Sequence, residues 1–327
     1  MRALVTGARG FIGSFLVEQL LQRGYEVTCL LRPKKTGRGW LTGLDFREVA
    51  GDITAPASVA EAVADADLVF HVAGLTKAVT RRELYRANVE GTRTVLETTL
   101  RFNPGVRRFV LVSSLAAAGP SRTERPLTEA DPPQPISHYG RSKLEAERLT
   151  LQYARELPVT IIRPPAVYGP RDRDVFSVFK YIKSGWLPTL TGGPRYVSLI
   201  HVHDLVRGIV LAAESEAAAG QTYFLANPPT YVWHEVEDQL AEILGAVPRR
   251  IPVPVALAFV TALTSEVFGR LTRRAMLINL DKFRELVATR WICDSSRAQK
   301  ELGFTTEVDL AEGLKSTAAW YAEQGWL

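Results

Sequence analysis

Tyr139, Lys143 and Ser114 are the residues of this chain whose types and spacing could move a proton. In the stretch YGRSK, Tyr139 and Lys143 stand four positions apart, so on a helix their side chains share one face. A phenol titrates at about pH 10 and is a poor acid–base catalyst at neutral pH unless a nearby ammonium lowers its pKa. Ser114 ends the apolar run FVLVSS and could hydrogen-bond a reacting oxygen, orienting it against Tyr139. The alternative is that Tyr139 and Lys143 are surface residues of an ordinary helix.

Three glycines, Gly7, Gly10 and Gly13, follow the first apolar run of the chain at intervals of three residues. The residues before them predict a short buried strand, and those after them predict an amphipathic helix. At such a junction glycine permits a tight turn and a close approach of the backbone to a dinucleotide pyrophosphate. The helix N-terminus then offers free N–H groups to the anion. The pattern indicates a dinucleotide site; the alternative is a turn that only needs glycine.

The second apolar run ends in LLRPKK, where Arg32 stands in place of a carboxylate. A cofactor without a 2′-phosphate is usually held at this strand end by a carboxylate that binds the ribose hydroxyls. A guanidinium suits a phosphate dianion in charge and in fork geometry, and Lys34 and Lys35 follow it closely. We therefore expect NADP rather than NAD, with a solvated basic loop as the alternative.

Apolar strands alternate with amphipathic helices through the first half of the chain. Near-continuous apolar strands in this alternation predict an α/β fold with a doubly wound parallel sheet. After about Pro170 the pattern becomes irregular and more helical, without a linker rich in Gly, Ser or Pro. We therefore expect a dinucleotide-binding part over residues 1–170 and a smaller, mostly helical substrate-binding part over residues 171–327. Segments such as 197–215 are expected to return to the first part.

Several motifs follow one another in order along the chain. They are TGARGFIG (6–13), GDIT (51–54), HVAG (71–74), NVEGTRTVLE (88–97), VSS (112–114), YGRSK (139–143), RPPAVYGP (163–170) and IHVHDLV (200–206). With these motifs the chain resembles the extended short-chain dehydrogenase/reductases, the NAD(P)-dependent epimerase/dehydratase superfamily, over nearly its whole length. The ending LLRPKK and the later run RIPVPVALAFVTALTSEVFG are similar to the dihydroflavonol-reductase and 3β-hydroxysteroid-dehydrogenase-like group. The resemblance implies a Rossmann-type fold and an NAD(P)-dependent enzyme.

The resemblance also implies a role for individual residues. Tyr139 is the acid–base residue, Lys143 contacts the nicotinamide ribose and lowers the pKa of Tyr139, and Ser114 orients the substrate oxygen. Asn88 supports a kinked helix and a water in the proton relay, while Asp204 is expected to be structural. The expected cofactor contacts are Gly7, Gly10, Phe11, Ile12, Gly13, Arg32, Lys35, Asp52, Ile53, Ala73, Gly74, Tyr139, Lys143, Pro164 and Val167.

Two departures from the sugar-nucleotide members of the family narrow the expected reaction. Ala166 stands where those members usually carry an asparagine that contacts the substrate diphosphate. Leu115 and Ala116 follow Ser114 where sugar dehydratases place an Asp-Glu pair. The expected substrate is therefore a hydrophobic ketone or alcohol in an apolar pocket. The apolar run from Ile251 lines that pocket, forms a buried core helix or makes a homodimer contact.

Net charge, cysteine content and histidine spacing bear on whether the chain binds nucleic acid, forms disulfides or holds a metal ion. The 327 residues carry a net charge of +5, which is mild for this length and does not mark a nucleic-acid binder. Cys29 and Cys293 are the only cysteines, and their separation predicts no disulfide framework. His201 and His203 alternate without a third ligand at suitable spacing, so structural histidines are preferred over a metal pair.

The first strand and the apolar run from Ile251 bear on where the protein is located in the cell. The first strand begins by residue 2, so we expect no signal peptide and a reducing, cytoplasmic setting. The run from Ile251, with two prolines at its front and Glu266 near its end, is expected to be too short and too broken for a transmembrane span. Arg270, Arg273 and Arg274 beside it could touch anionic lipid weakly or bind an acidic substrate; the alternative is a solvated helix face.

The leading hypothesis is an NADP-dependent oxidoreductase that acts on a CH–OH group or its carbonyl in a hydrophobic small molecule. The alternative within the same fold is an NAD-dependent nucleotide-sugar epimerase. A third hypothesis is a catalytically silent NADP-binding sensor. It is disfavoured because such proteins typically lose the tyrosine or the lysine, and this chain keeps both Tyr139 and Lys143.

Overall fold

The computed structural model describes residues 1–33, 37–272, 274, 276 and 278–327. Lys35, which the sequence places beside a 2′-phosphate, and Arg273, in the arginine cluster, lie outside these described residues.

Fourteen strands occur in the described residues. They are β1 (Arg2–Thr6), β2 (Glu26–Leu31), β3 (Arg47–Ala50), β4 (Leu68–His71), β5 (Arg108–Val112), β6 (Val159–Arg163), β7 (Ala166–Tyr168), β8 (Trp186–Leu190), β9 (Tyr196–Val197), β10 (Leu199–His201), β11 (Gln221–Phe224), β12 (Tyr231–Val232), β13 (Arg249–Val253) and β14 (Arg290–Trp291).

Thirteen α-helices occur in the same residues. They are α1 (Phe11–Gln22), α2 (Pro56–Val63), α3 (Arg81–Tyr85), α4 (Gly91–Phe102), α5 (Leu115–Ala118), α6 (His138–Gln152), α7 (Phe176–Lys183), α8 (Val202–Glu214), α9 (Trp233–Ile243), α10 (Val255–Thr272), α11 (Leu280–Val287), α12 (Ser296–Leu302) and α13 (Leu310–Glu323). A π-helical turn spans Arg86–Glu90, and short 3₁₀ turns span Gly39–Leu41 and Glu216–Ala218.

The main sheet has seven strands in the order β11-β6-β5-β4-β1-β2-β3, and every neighbouring pair is parallel. Its strands are buried on both faces, which explains why they read as continuous apolar runs such as RFVLV in β5. On one face, α1 and α8 pack over the sheet, and on the other α2, α4 and α6 do so. The predicted doubly wound α/β fold is therefore confirmed.

The carboxyl ends of the central strands define the crevice where a ligand would bind. Because β1 lies between β4 and β2, the strand order reverses at β1, and parallel α/β sheets bind ligands at this point. The glycine turn follows β1, Arg32 follows β2, Gly74 comes after β4 and Ser114 after β5. The topology thus brings residues from four separate motifs to one edge of the sheet.

The later part of the chain builds a second, smaller core and also returns to the first. Apolar residues of α7, α9 and α13 pack together, and short strand pairs, such as β8 with β13, flank them. The segment between these elements goes back to the main sheet: α8 packs on α1, and β11 pairs with β6 as the seventh strand.

Helix α10 differs from two expectations for the apolar run: that it is too short for a membrane span, and that it forms a buried core helix. It continues past Gly269 to Thr272 and reaches 18 residues, so the run is not too short: by length and composition alone it could cross a membrane, with a mean hydropathy of 1.3. The buried-core alternative is wrong, since only Ala262 and Gly269 are buried. Composition could not reveal this because an apolar helix has the same sequence whether the protein covers it or not.

Candidate active site

The glycine turn after β1 is packed too tightly for any other residue. Gly7 has φ of +74°, and a Cβ built there would lie 2.6 Å from the backbone nitrogen of Ala73. A Cβ on Gly13 would lie 2.3 Å from the carbonyl oxygen of Gly7. Two glycines are therefore required, one for a left-handed conformation and one for close packing of helix on turn. The turn rests directly on the Ala73–Gly74 segment after β4.

Helix α1 begins at this turn with its first N–H groups open to an anion. Gly10 occupies the N-cap, where it is exposed and offers no side-chain cap, and no acidic residue lies in the first turn. The backbone N–H groups of Phe11 and Ile12 have no acceptor within their own helix, because the first turn of a helix lacks preceding carbonyls. This uncapped N-terminus suits a pyrophosphate.

Arg32 lies at the end of β2 with a largely free guanidinium. Its side chain is 62% exposed, and its Nε lies 4.0 Å from the Asp52 carboxylate. Burial tends to raise the pKa of Asp52, but hydrogen bonds from Thr54 and the Arg32 charge outweigh it and lower that pKa. Asp52 therefore stays ionised beside a cation that can still reach a phosphate.

Arg9 is a second cation at this edge, and the sequence analysis did not single it out. Its guanidinium donates a hydrogen bond to the carbonyl oxygen of Arg32 and lies 3.7 Å from Glu48. The available signal was its position inside the glycine motif TGARGFIG, which places it between β1 and α1. Arg9 and Arg32 are thus two cations at this end of the crevice, each with a carboxylate nearby.

The helix that carries Tyr139 and Lys143 is capped from two directions. Locally, Ser137 precedes the helix, and its hydroxyl accepts a hydrogen bond from Gly140 N at 2.9 Å. From the distant helix α11, the Asp281 carboxylate accepts bonds from His138 N at 2.7 Å and Tyr139 N at 3.0 Å. Asp281 was not found from sequence, because a cap supplied 143 positions away along the chain leaves no local signal.

Tyr139 and Ser114 are the two residues that the sequence predicts to handle a proton. Ser114 follows β5 as the N-cap of α5, where its hydroxyl accepts a hydrogen bond from Ala116 N at 3.1 Å. Burial raises the pKa of Tyr139 to about 12; the nearby Ser114 hydroxyl opposes this shift, and the carboxylates of Glu285 and Asp174 add to it. The expected lowering of this pKa by Lys143 is not seen in the structure, and Tyr139 keeps its proton at neutral pH.

Lys143 is buried one helical turn from Tyr139. Only 5% of the residue is exposed, and its Nζ donates a hydrogen bond to the carbonyl oxygen of Val112 at 2.7 Å. Burial lowers the pKa of Lys143 to about 8, and the negative charge of Glu147 opposes that shift. The ammonium is therefore held at the carboxyl end of β5, beside Ser114.

Glu147 belongs to a buried ion pair behind Lys143 that the sequence analysis did not identify. Its carboxylate accepts hydrogen bonds from Arg163 Nε at 3.0 Å and Nη2 at 2.6 Å, and another from the Ser113 hydroxyl. A carboxylate four residues after Lys143 on the same helix was the available signal. The pair joins α6 to β6, and its charge supports the nearby ammonium.

Asn88 lies in the π-helical turn that precedes α4. Its amide nitrogen donates to the carbonyl oxygen of Leu75 and to the Ser142 hydroxyl, both at 2.9 Å, while its oxygen accepts from Leu75 N at 2.7 Å. A Cβ on Gly74 would approach the Asn88 amide oxygen to 3.0 Å and Lys143 Nζ to 3.6 Å. Asn88 thus ties the segment after β4 to α6, the helix that carries Tyr139 and Lys143.

His71, quoted in the motif HVAG without a role, lies under Asn88. The Thr92 hydroxyl donates its proton to the carbonyl oxygen of Asn88 at 2.7 Å, so toward His71 Nε2 it acts as an acceptor. The other ring nitrogen of His71, Nδ1, then accepts a hydrogen bond from the Thr6 hydroxyl. Burial lowers the pKa of His71 to about 3, and the Lys143 charge acts in the same direction. A neutral histidine therefore joins β1, β4 and α4.

The remaining expected residues lie around the same crevice or outside it. Ile53 packs against Gly91, and the carbonyl oxygen of Pro164 accepts a bond from Leu115 N at 2.7 Å, which places the segment before β7 beside the Ser114 turn. Val167 lies in β7 opposite Ile200. Asp204 accepts hydrogen bonds from Glu307 N and Val308 N, which is a structural contact.

Of the two alternating histidines, His201 pairs with Tyr168 of β7 and His203 packs against Phe15 of α1. The rings of His201 and His203 are 5.2 Å apart between centroids. No group of three His, Cys, Asp or Glu residues that could hold a metal ion occurs in the part of the chain that the structure describes. Cys29 and Cys293 are buried and separate.

Comparison with known proteins gives a consistent set of relatives. A family model described as "NAD dependent epimerase/dehydratase family" matches residues 3–226. A "Ceramide reductase" of Caulobacter vibrioides is 31% identical, with 99% of this chain and 95% of the relative covered. A "4-hydroxy-2-methyl-3-oxo-4-farnesyl-3,4-dihydroquinoline-1-oxide ketoreductase" of Stigmatella aurantiaca is 28% identical, with 96% and 95% covered. Among solved structures, "MoeE5 in complex with UDP-glucose and NAD" is 28% identical, with a TM-score of 0.78 and 99% of each chain covered.

Proposed function

Because the chain belongs to the NAD dependent epimerase/dehydratase family, we propose that it is an NADP-dependent oxidoreductase acting on a hydrophobic small molecule. Proteins of this family act on CH–OH groups or the corresponding carbonyls with NAD(P). The proposed reaction transfers a hydride between the nicotinamide and such a carbon. The observation that carries it is the Tyr139 phenol, which lies near the Ser114 hydroxyl and one helical turn from the buried amine of Lys143.

The residues around the crevice fit a nicotinamide dinucleotide. The glycine turn leaves no room for a Cβ, the start of α1 is uncapped, and Arg32 offers a free cation at the end of β2. These three features match a pyrophosphate and a ribose 2′-phosphate in charge and in position along the sheet edge. When bound there, the dinucleotide supplies or accepts the hydride.

Tyr139 supplies the proton in the direction of reduction. Its pKa of about 12 means that the phenol is protonated at neutral pH and can donate to the substrate carbonyl oxygen. The Ser114 hydroxyl, which accepts from Ala116 N and keeps its own proton to donate, gives a hydrogen bond to the same oxygen and holds it in reach. The charge that develops on the Tyr139 oxygen is stabilised by the Lys143 ammonium, which the Val112 carbonyl and Glu147 hold in place.

Asn88 is a positioning residue in this proposal. Its three hydrogen bonds fix Leu75 and Ser142, and the Ser142 hydroxyl in turn donates to the carbonyl oxygen of Tyr139 at 2.7 Å. The first turn of the catalytic helix is therefore tied to the segment that would run beside the cofactor.

A hydrophobic substrate is favoured by two independent features. Ala166 is exposed at the start of β7 and carries no hydrogen-bonding group, and Leu115 and Ala116 leave no carboxylate after Ser114. The reductases at 31% and 28% identity are named for a ceramide and for a farnesylated quinoline oxide, both lipophilic ketone or alcohol compounds. Affinity for substrate should therefore rise with the apolar area that the pocket removes from water.

An NAD-dependent nucleotide-sugar epimerase is the second candidate. It is favoured by the likeness to MoeE5, whose structure holds UDP-glucose and NAD. An epimerase regenerates its cofactor in each cycle, so it would consume none in net terms.

One assay separates the two candidates. The purified chain is incubated with NADPH or NADH and either straight-chain, aryl or polycyclic ketones or UDP-glucose, and loss of nicotinamide absorbance and sugar interconversion are both followed. The proposal predicts NADPH consumption that increases with the carbon content of the ketone. Interconversion of the UDP-sugar without net cofactor consumption, together with inert ketones, would establish the epimerase instead.

A further inference from the structure

Helix α10 leaves a large apolar surface open to solvent. Eight of its side chains are both apolar and at least 38% exposed: Val255, Leu257, Phe259, Val260, Leu263, Val267, Phe268 and Leu271. At 3.6 residues per turn these positions spread over more than half of the helix circumference. Isolated exposed apolar residues are common, but a continuous patch of this kind marks a surface that something else covers.

The helix is held flat on the outside of the molecule. At its N-terminal end, β13 pairs with β8, and Thr191 N donates to the Val253 carbonyl oxygen at 3.0 Å. Helix α11 runs antiparallel to α10: the rings of Phe259 and Phe283 are 5.5 Å apart, and Glu266 accepts a bond from Leu280 N at 3.2 Å.

The far end of α10 and the start of α11 are both fixed to the dinucleotide-binding part. Arg270 lines a pocket with Val79, Thr80 and Glu83, and Asp281 caps the catalytic helix. The turn end of the hairpin of α10 and α11 is therefore attached to the dinucleotide-binding part, and the pairing of β13 with β8 holds the N-terminal end of α10. A covering surface would meet α10 along its side, and the helix would lie in the plane of that surface and not cross it.

The sequence around the hairpin carries the whole positive excess of the chain. Residues 249–290 contain eight Lys or Arg and three Asp or Glu, a net charge of +5 that equals the charge of all 327 residues. The rest of the chain is therefore neutral overall. Apolar side chains flanked by such a basic excess complement a bilayer with anionic headgroups, where the acyl boundary takes the apolar groups and the headgroups take the cations.

We propose that α10 docks the protein on the surface of an anionic lipid bilayer. The exposed apolar side chains enter the boundary between headgroups and acyl chains, and exposed basic residues around the C-terminal end of α10, such as Arg270 and Arg274, face the lipid phosphates. A second copy of the chain is a poorer occupant, because a symmetric contact through α10 would bring two segments of charge +5 together.

The test measures binding of the full chain to vesicles, independently of any enzymatic activity. Flotation is compared for vesicles of phosphatidylcholine alone and for vesicles of phosphatidylcholine with about a third phosphatidylglycerol, a composition that gives the surface a negative potential. We expect the protein to float with the anionic vesicles, to float less with the neutral ones, and to detach severalfold as salt rises from about 0.1 M to about 1 M.

The variants replace apolar side chains that make few contacts within the protein. Phe268→Ser with Leu271→Ser removes two groups that are 56% and 79% exposed, and should lower vesicle binding by roughly tenfold for each side chain. Phe102→Ser with Leu151→Ser is the matched control, since these side chains are 51% and 41% exposed but lie near the C-terminal ends of α4 and α6. The control should bind vesicles like the unaltered chain.

Three outcomes would overturn the proposal. The first is failure of the unaltered chain to float with anionic vesicles. The second is equal loss of binding in the control pair. The third is a dimer in lipid-free solution, seen by light scattering, that the Phe268→Ser/Leu271→Ser variant converts to monomer; this result would assign α10 to a contact between copies.

Discussion

At the scale of single residues, the candidate site depends on where a few protons and charges are held. The Tyr139 phenol keeps its proton because burial raises its pKa to about 12. Burial lowers the pKa of the Lys143 amine to about 8, which is close to neutral pH. Both side chains are carried by α6. Three predictions follow from the protonation and charge of individual side chains.

Tyr139→Phe should retain cofactor binding and lose catalysis. The substitution keeps the ring and removes the proton donor, so turnover should fall by roughly 10²–10⁴, the usual contribution of a general acid. Tyr153→Phe is the control on the same stretch of chain, because its hydroxyl contacts only Glu97 among the described residues, at 3.4 Å. Cofactor affinity and turnover are measured for both. A Tyr139→Phe enzyme that turns over a true substrate at the normal rate would disprove the assigned role.

Arg32→Ala should lower affinity for NADPH about tenfold and leave NADH affinity nearly unchanged, because one charge-assisted contact to the 2′-phosphate is lost. Arg47→Ala is the control: Arg47 is an exposed arginine on the neighbouring strand β3, paired with Glu61 at 3.5 Å. Both cofactors are titrated against both variants. Equal weakening of NADH and NADPH in Arg32→Ala would show that this residue does not discriminate between the two cofactors.

His71 should make folding stability depend on acidity. Its folded pKa of about 3 lies below the unfolded value of about 6.5, so the unfolded chain binds the extra proton between these values. The free energy of unfolding should therefore fall as pH drops below about 6.5, by at most about 1.4 kcal/mol per pH unit for this group.

The measurement for this prediction compares how steeply the free energy of unfolding falls with pH in three proteins. Urea unfolding at a series of pH values should give a shallower acid slope for His71→Gln than for the unaltered chain. His234→Gln, at an exposed histidine, should leave the slope unchanged. Identical slopes in all three proteins would mean that His71 does not couple folding to protons. Part of the slope should remain, because burial also lowers the pKa of His201, to about 4.

At the scale of elements, α11 contributes to the catalytic helix without contacting its reactive groups directly. The Asp281 carboxylate satisfies two N–H groups at the start of α6, which would otherwise lack acceptors. Its negative charge also lies at the positive end of the helix dipole. Through α11, the docking helix α10 and the catalytic helix are thus mechanically connected.

Asp281→Ala should cost about 1–2 kcal/mol of stability, as loss of an N-cap does, and should also lower kcat/KM because Tyr139 loses a backbone contact. Asp309→Ala is a matched control: Asp309 caps α13 through Glu312 N at 2.8 Å and lies outside the crevice. It should lose comparable stability with unchanged kcat/KM. Thermal unfolding and steady-state kinetics are measured on both. Parallel effects of the two substitutions on kcat/KM would rule out a specific role for Asp281.

At the scale of the whole molecule, the two proposed parts share one folding unit. We divide the chain by function at residue 170, yet α8 covers α1 and β11 completes the main sheet from beyond that point. Phe15 and Leu16 of α1 share a core with Leu205 and Ile209 of α8. The dinucleotide-binding part therefore obtains a helix and an edge strand from the second half.

A fragment of residues 1–170 should fail to fold on its own, because it leaves the apolar face of α1 and the edge of β6 uncovered. The full chain should unfold in a single cooperative transition, since the shared core couples both parts. Circular dichroism with thermal melting and size-exclusion chromatography compare the fragment with the full chain. A monomeric fragment with its own sharp transition would show that the division at residue 170 also separates folding units.

The features that sequence alone determined are those set by short stretches of chain. The strand, glycine turn and helix at 2–22 follow from apolar periodicity and from the steric need for glycine at Gly7 and Gly13. The shared face of Tyr139 and Lys143 follows from helix geometry. The parallel sheet follows from alternating apolar strands and helices, and it is confirmed. Local sterics and side-chain period act within a few residues, so the printed sequence contains them.

Only the tertiary structure decided the features that depend on distant segments meeting. The cap of α6 by Asp281, the pair of Glu147 with Arg163 and the contact of Arg9 with Arg32 each join separate elements. The open surface of α10 belongs to the same class. Its apolar composition is equally compatible with a core helix, a pocket wall or a docking surface. What distinguishes these is the area that the rest of the chain removes from water, and that area is set by packing across the whole fold.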